Sequence, residues 1–127
     1  MKPENLDHLR HRVVTAAEAA LAKQRYVSAI DVLTGMGSLE PDHLLRWRRG
    51  QVNYLERVIH LNLSRLNAAM RLFRQWAAAK GLKPSETQYR RFGKRQKIEL
   101  RFSKSGHPAL EKCYRTHYIL PRRLPRI

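Results

Sequence analysis

From Asn53 to Lys80 the chain runs without proline or glycine, and Gly81 and Pro84 then close the stretch. Asn53 with Glu56 three residues on has the form of an N-cap with its capping-box partner, and the Gly–Pro close has the form of a helix stop. At 3.6 residues per turn, Asn53 to Gly81 predicts one central helix of about seven to eight turns, long enough to be the spine of the fold. Leu55, Ile59, Leu66, Met70, Phe73 and Ala77 fall on one stripe of it. Val58, Ala69 and Trp76 widen that stripe on one flank, and Tyr54, Leu61 and Leu72 carry it further round. An arc this wide predicts packing on two sides. The opposite face carries Arg57, His60, Ser64, Asn67, Arg71, Arg74 and Gln75, with no acid after Glu56, although a solvated helix normally interleaves acids with its cations to gain local ion pairs.

That imbalance continues along the chain. Residues 1 to 45 hold 5 Lys and Arg against 6 Asp and Glu, whereas residues 46 to 127 hold 21 against 4, which accounts for the net charge of +16. The first third is electrically ordinary and the rest is a polycation, whose self-repulsion a polyanion relieves. A length of 127 residues suits one domain with a modest core. We expect a single domain over residues 1–120, with a near-neutral helical module at 1–50, the central helix at 53–81, a basic hairpin with a short helix at 85–120, and a flexible basic tail at 121–127. The single Cys113 rules out an internal disulfide and a cysteine-based zinc site. With no apolar run of signal-peptide or membrane-span length, the expectation is a cytoplasmic protein without a membrane partner.

In the first module, Leu6, Leu9, Val13, Ala16, Ala17, Ala20 and Leu21 recur at helical spacing between about Pro3 and Arg25 and predict an alanine-rich packing helix, whose apolar face is also compatible with a homodimer. His8 and His11 share a face but lack a third ligand, so no metal site or cofactor is expected. Ser28 caps a short helix over Ala29 to Met36, and Pro41 opens another that ends at Gly50. Two short helices joined by a Gly-containing turn, followed by the spine, have helix-turn-helix or winged-helix-like form. Trp47 reads as a core anchor between the short helix and the spine. Arg46, Arg48 and Arg49 around it exceed what compensation of a helix dipole requires.

After Pro84 the period changes from 3.6 to 2, and Thr87 to Phe92 and Gln96 to Phe102 predict the strands of a hairpin. Arg90, Arg91, Lys94, Arg95 and Lys97 sit near its tip, denser than protection of a strand edge needs, as in a phosphate-contacting wing. Ser103 to His107 leads into a last helix near Pro108 with Leu110, Cys113 and Tyr114 inward. This loop, with Lys104, has either the form of a phosphate cradle or that of an ordinary cap made by Ser105. Arg122 and Arg123 lie in the tail.

The fold class expected is therefore α+β, mostly helical with a small C-terminal hairpin. The function expected is phosphate-led binding of DNA or RNA, DNA slightly favoured, through Arg46, Arg48, Arg49, Arg57, Arg71, Arg74, Arg90, Arg91, Lys94, Arg95, Lys97, Lys104, Arg122 and Arg123. Tyr89, Phe92 and Tyr118 offer stacking surfaces for RNA. One alternative is a scaffold for an acidic protein partner. Another is a metal-independent nuclease using His107 and His117 as acid and base. The scarcity of acids after Glu56 argues against a metal-dependent nuclease, and no catalytic residue is assigned.

Overall fold

A computed structural model describes residues 2–93 and 98–121 of the chain. It is an α+β structure. Among the described residues, α1 (Pro3–Lys23), β1 (Tyr26–Val27), α2 (Ala29–Gly35), α3 (Pro41–Arg48), a 3₁₀ turn (Leu55–Val58), α4 (Leu63–Ala79), β2 (Lys83–Glu86), α5 (Pro108–Arg115) and β3 (Thr116–Ile119) follow in order. No helix among the described residues is long and apolar enough to cross a membrane.

The local signals of the first module act as expected. Ser28 Oγ accepts from the Asp31 amide while the Asp31 carboxylate accepts from the Ser28 amide, a complete capping box. Pro41 opens α3, and Gly50 follows its C-cap at φ +77°, a conformation that glycine adopts without the steric cost other residues meet. Leu9, Val13, Ala16 and Ala17 of α1 meet Val32 and Leu33 of α2 and Leu66, Ala69, Phe73 and Ala77 of α4 in the core. At Gly35 the helices come so close that an added Cβ would lie 2.8 Å from the Ala16 Cβ, so the glycine sets the α1–α2 spacing.

The expected spine is not one helix. Its first ten residues form a 3₁₀ turn and an extended link, and the α-helix begins only at Leu63, capped by Asn62, whose side chain accepts from the Arg65 amide at 2.9 Å. The Leu55 and Glu56 amides donate to the carbonyls of Arg101 and Phe102, so the backbone is committed to a neighbouring segment before a helix can start. Glu56 does not reach back to an N-cap; its carboxylate accepts from the Tyr114 hydroxyl at 2.8 Å and the Lys104 amide at 3.1 Å. Beyond the turn, Ile59 is buried and extended, and the His60 amide donates to the Ser38 carbonyl at 2.7 Å.

The sheet also lies elsewhere than the sequence pattern places it. It is antiparallel with order β1-β3-β2, pairing Val27 with Tyr118 and Pro84 with Tyr118 on opposite sides of β3. Pro84 is accommodated because β2 is an edge strand. The hairpin expected over 87–102 is reduced, among the described residues, to one bridge between Arg90 and Glu99, flanked by bonds from the Arg91 amide to the Ile98 carbonyl and from the Leu100 amide to the Tyr89 carbonyl. The alternation expected of Ile98, Leu100 and Phe102 holds only in part: Leu100 and Phe102 are buried while Glu99 and Arg101 are exposed, but Ile98 is exposed too. Phe102 is held by Trp47 and Tyr114, with ring centroids 4.9 and 5.4 Å away.

Candidate nucleic-acid interface

Trp47 sets the position of the basic residues around it. It is fully buried, and its indole N–H donates to the Arg101 carbonyl at 2.8 Å. Its aromatic partners are Phe102 and Tyr89 of the hairpin, so α3 is tied to the basic half of the chain by the tryptophan the sequence had assigned to the spine contact. The Phe92 amide donates to the Arg48 carbonyl, which closes the same junction one residue after Trp47.

On this platform the expected cations take different roles. Arg48 is half-buried, with its guanidinium 4.2 Å from the Phe92 ring centroid and 5.2 Å from that of Tyr89; burial lowers its pKa, and the ring faces offset part of the lost hydration. Arg48 is therefore a clamp between α3 and the hairpin. Arg46 pairs with Asp42 at 3.2 Å. Arg91 Nε donates to the Arg49 carbonyl at 2.9 Å and lies across Gly50, where a side chain would collide with the guanidinium. Gly50, Asn53, Arg91, Glu99 and Arg101 line a surface groove there. Asn53, expected as a helix cap, and Arg101, absent from the expected site, belong to it. The outward phase of Arg101 in the Leu100–Phe102 alternation is the signal that would have found it.

Arg57, Arg71, Arg74, Arg90 and Lys104 are exposed. No ion pair among the described residues involves these five, nor Arg49, Arg91 or Arg101. Arg90 instead donates to the Gln88 side chain at 2.6 Å. Arg71 and Arg74 do not join the Gly50 groove; they line two other depressions, Arg71 with Leu6 and Ser64, Arg74 with His107 and Cys113, and Asn67 lines both. Lys94, Arg95, Lys97, Arg122 and Arg123 lie outside the described residues.

In the Ser103 to His107 loop the amides of Ser103, Lys104, Gly106 and His107 have partners within the chain. The buried Glu111 carboxylate accepts from the Phe102 and Ser103 amides and from the Ser103 hydroxyl, at 2.9, 2.8 and 2.6 Å. The Lys104 amide is taken by Glu56, that of Gly106 by Ser103 Oγ and that of His107 by Ser105 Oγ. Two of those partners are carboxylates, Glu111 and Glu56. The cap of α5 is His107, whose Nδ1 accepts from the Ala109 amide, and not Ser105. The buried Tyr114, facing Glu56, has its phenol pKa pushed far up by loss of hydration and by that hydrogen bond.

His107 and His117 flank the eight residues of α5. They are set at opposite ends of a helix about 12 Å long. His117 stacks on Tyr26 at 5.0 Å, its Nε2 is 2.7 Å from the Tyr89 hydroxyl, and burial lowers its pKa. Burial pushes Tyr89 up to about 12. Tyr118 packs edge-on against Phe73 at 5.1 Å, so of the three aromatics expected to stack, Phe92, 49% exposed, presents the most open ring.

Compared with family models, with curated proteins and with solved structures, the chain matches none.

Proposed function

We propose that this is a non-catalytic nucleic-acid-binding protein that grips phosphates through the cations around Gly50, with the hairpin in the role of a wing. The observation that carries this reading is that Arg91 and Arg101 line one groove with no ion pair to a carboxylate among the described residues, Glu99 on its rim included, while the exposed Arg49 lies next to Gly50 in sequence. Two guanidiniums lining one groove repel each other, and the cost is recovered when a polyanion enters. Arg91 is already oriented by the Arg49 carbonyl, so less side-chain entropy is lost on binding. The open Phe92 ring beside Arg48 supplies a stacking surface for an unpaired base. Lys94, Arg95 and Lys97 add charge to the same hairpin in sequence.

The test is a titration of labelled duplex DNA, single-stranded DNA and structured RNA at two salt concentrations. With six to ten phosphate contacts, affinity falls by roughly 10³ to 10⁵ between 50 and 200 mM salt. Replacing Arg91 and Arg101 together by Ala weakens all sequences alike and flattens the salt slope. Absence of binding to all three nucleic acids at low salt overturns the proposal.

A further inference from the structure

We infer that Glu40, His43 and His60 form a site for a borderline divalent cation, zinc being the best fit, at the junction between α3 and the link that precedes α4. This site is independent of the basic groove. One ligand atom from each residue lies within 4.8 Å of the other two, the one such convergence of three His, Cys, Asp or Glu side chains among the described residues. Glu40 Oε2 is 3.7 Å from His43 Nδ1, and Glu40 Oε1 is 3.7 Å from His60 Nε2. These separations are too long for hydrogen bonds, which need about 3.2 Å or less. They are close to the spacing of two ligands that share an ion, since bonds of about 2.0–2.1 Å in a tetrahedron set donors roughly 3.4 Å apart.

A second observation points the same way. His43 Nδ1 is buried and has no hydrogen-bond partner. A buried polar atom normally finds one, and an orphan aimed at two other donor atoms is accounted for by an ion between them. The two imidazoles have ring centroids 5.6 Å apart and are tilted by 45°, so they are not stacked face to face, and one nitrogen of each lies within 4.8 Å of the other.

The backbone already holds the ligands. Glu40 is the N-cap of α3 and His43 lies in its first turn. His60 is fixed by the bond from its amide to the carbonyl of the buried Ser38. Two imidazoles and a carboxylate, with no thiolate, suit zinc and its first-row neighbours, whereas magnesium and calcium prefer oxygen donors. The Glu40 and His60 side chains are 58% and 54% exposed, which leaves the remaining coordination position to water. Such an ion would tie the short helix to the segment that precedes α4, because its ligands come from both.

Isothermal titration of the metal-free protein with zinc chloride, and cobalt(II) absorption in the visible as a geometric probe, test the inference. The background is His8→Ala/His11→Ala, which removes the histidine pair three residues apart in α1. We expect one ion per chain, a tetrahedral cobalt spectrum, no response to magnesium, and a rise in melting temperature with zinc. His60→Ala, at an exposed position, and Glu40→Gln each weaken zinc binding by about tenfold or more, and His43→Ala does the same while circular dichroism stays unchanged. Zinc affinity that survives both His60→Ala and Glu40→Gln, or the absence of a tetrahedral cobalt spectrum, overturns the site.

Discussion

Around α1, α2 and α4 the interior is mainly aliphatic, with Leu9, Val13, Ala16, Ala17, Val32, Leu33, Ala69 and Ala77 packed beside Phe73 and Trp76; around the C-terminus of α3 it is built from Trp47, Tyr89, Phe102 and Tyr114. Small side chains let helices approach closely, and the helices satisfy their own backbone. The aromatic part has little regular structure to do that. Its rings carry polar tips that bond to irregular chain instead, the Trp47 indole to Arg101 and the Tyr114 hydroxyl to Glu56. The charges divide the same way. In the aliphatic part Lys80 meets Glu18 at 2.8 Å and Arg10 meets Asp7 at 3.0 Å, and Glu18 is held below the usual carboxylate range by Lys80 and by the Trp76 indole N–H. Over the aromatic part Arg46 pairs with Asp42, whereas Arg48, Arg49, Arg91 and Arg101 have no carboxylate partner among the described residues. One region is finished as a packed module, and the other is a stiff mount for unpaired cations.

Trp47→Ala breaks the comparison most severely. Emptying a fully buried indole site costs about 3–5 kcal/mol in chemical denaturation. It also removes the bond that holds Arg101, so nucleic-acid affinity falls even in the fraction that remains folded. Leu9→Ala, in the aliphatic part, costs about 2–5 kcal/mol and leaves the affinity of the folded protein unchanged. Equal losses of affinity in the two variants would merge the regions we separate.

Glu111→Ala acts on the junction of the two. Its carboxylate serves two amides and a hydroxyl, so its removal leaves buried donors unpaired, and we expect a loss of about 1–3 kcal/mol. A loss below about 0.5 kcal/mol, the range of ordinary surface changes, would show that water replaces the carboxylate and that the loop is not held by it.

The aliphatic part was legible in the sequence because its signals are local. Helical spacing in α1 and the Ser28 cap act within a few residues and the structure keeps both, as it keeps Pro41 and Gly50 at the two ends of α3. The aromatic part was misread because its determinants are distant. Asn53 and Glu56 have every local mark of a helix start, yet the amides of Leu55 and Glu56 pair with residues 46 positions further along. Asn62, a second cap candidate inside the same run, was masked by the continuous apolar periodicity. The sheet was hidden because β1 has two residues and β2 reads Lys-Pro-Ser-Glu, neither of which shows an alternating pattern. For the basic surface, composition identified the residue types, but which arginines gather at Gly50 and which serve as a clamp or a salt-bridge partner depends on tertiary contacts. Glu40, His43 and His60 met for the same reason: their spacing of 3 and 17 residues becomes a cluster only once the spine is broken before Asn62.

A smaller effect separates the regions by pH. Burial lowers the pKa of His117, so in the window between its folded value and the unperturbed value of about 6.5 the unfolded chain binds more protons than the folded one. The stability contributed by neutral His117 is therefore complete above about pH 6.5 and is lost as pH falls through the folded value. Thermal melts from pH 7.5 to 5 should show a decline that is shallower in His117→Gln. Identical slopes in the two proteins would remove His117 from the set of groups that couple folding to protons.

The smallest expected effect on stability belongs to α4, where the two regions meet. Arg71 and Arg74 are exposed and make no ion pair among the described residues, so replacing both by Ala leaves stability within about 0.5 kcal/mol. Their depressions are separate from the Gly50 groove, and the binding assay decides whether they act with it. If each arginine neutralises one phosphate of a duplex, the double variant makes the slope of log K against log salt shallower by about 1.8, since each contact contributes about 0.9. An unchanged slope, with Arg91→Ala/Arg101→Ala still flattening it, would confine the interface to the aromatic part and leave α4 as packing alone.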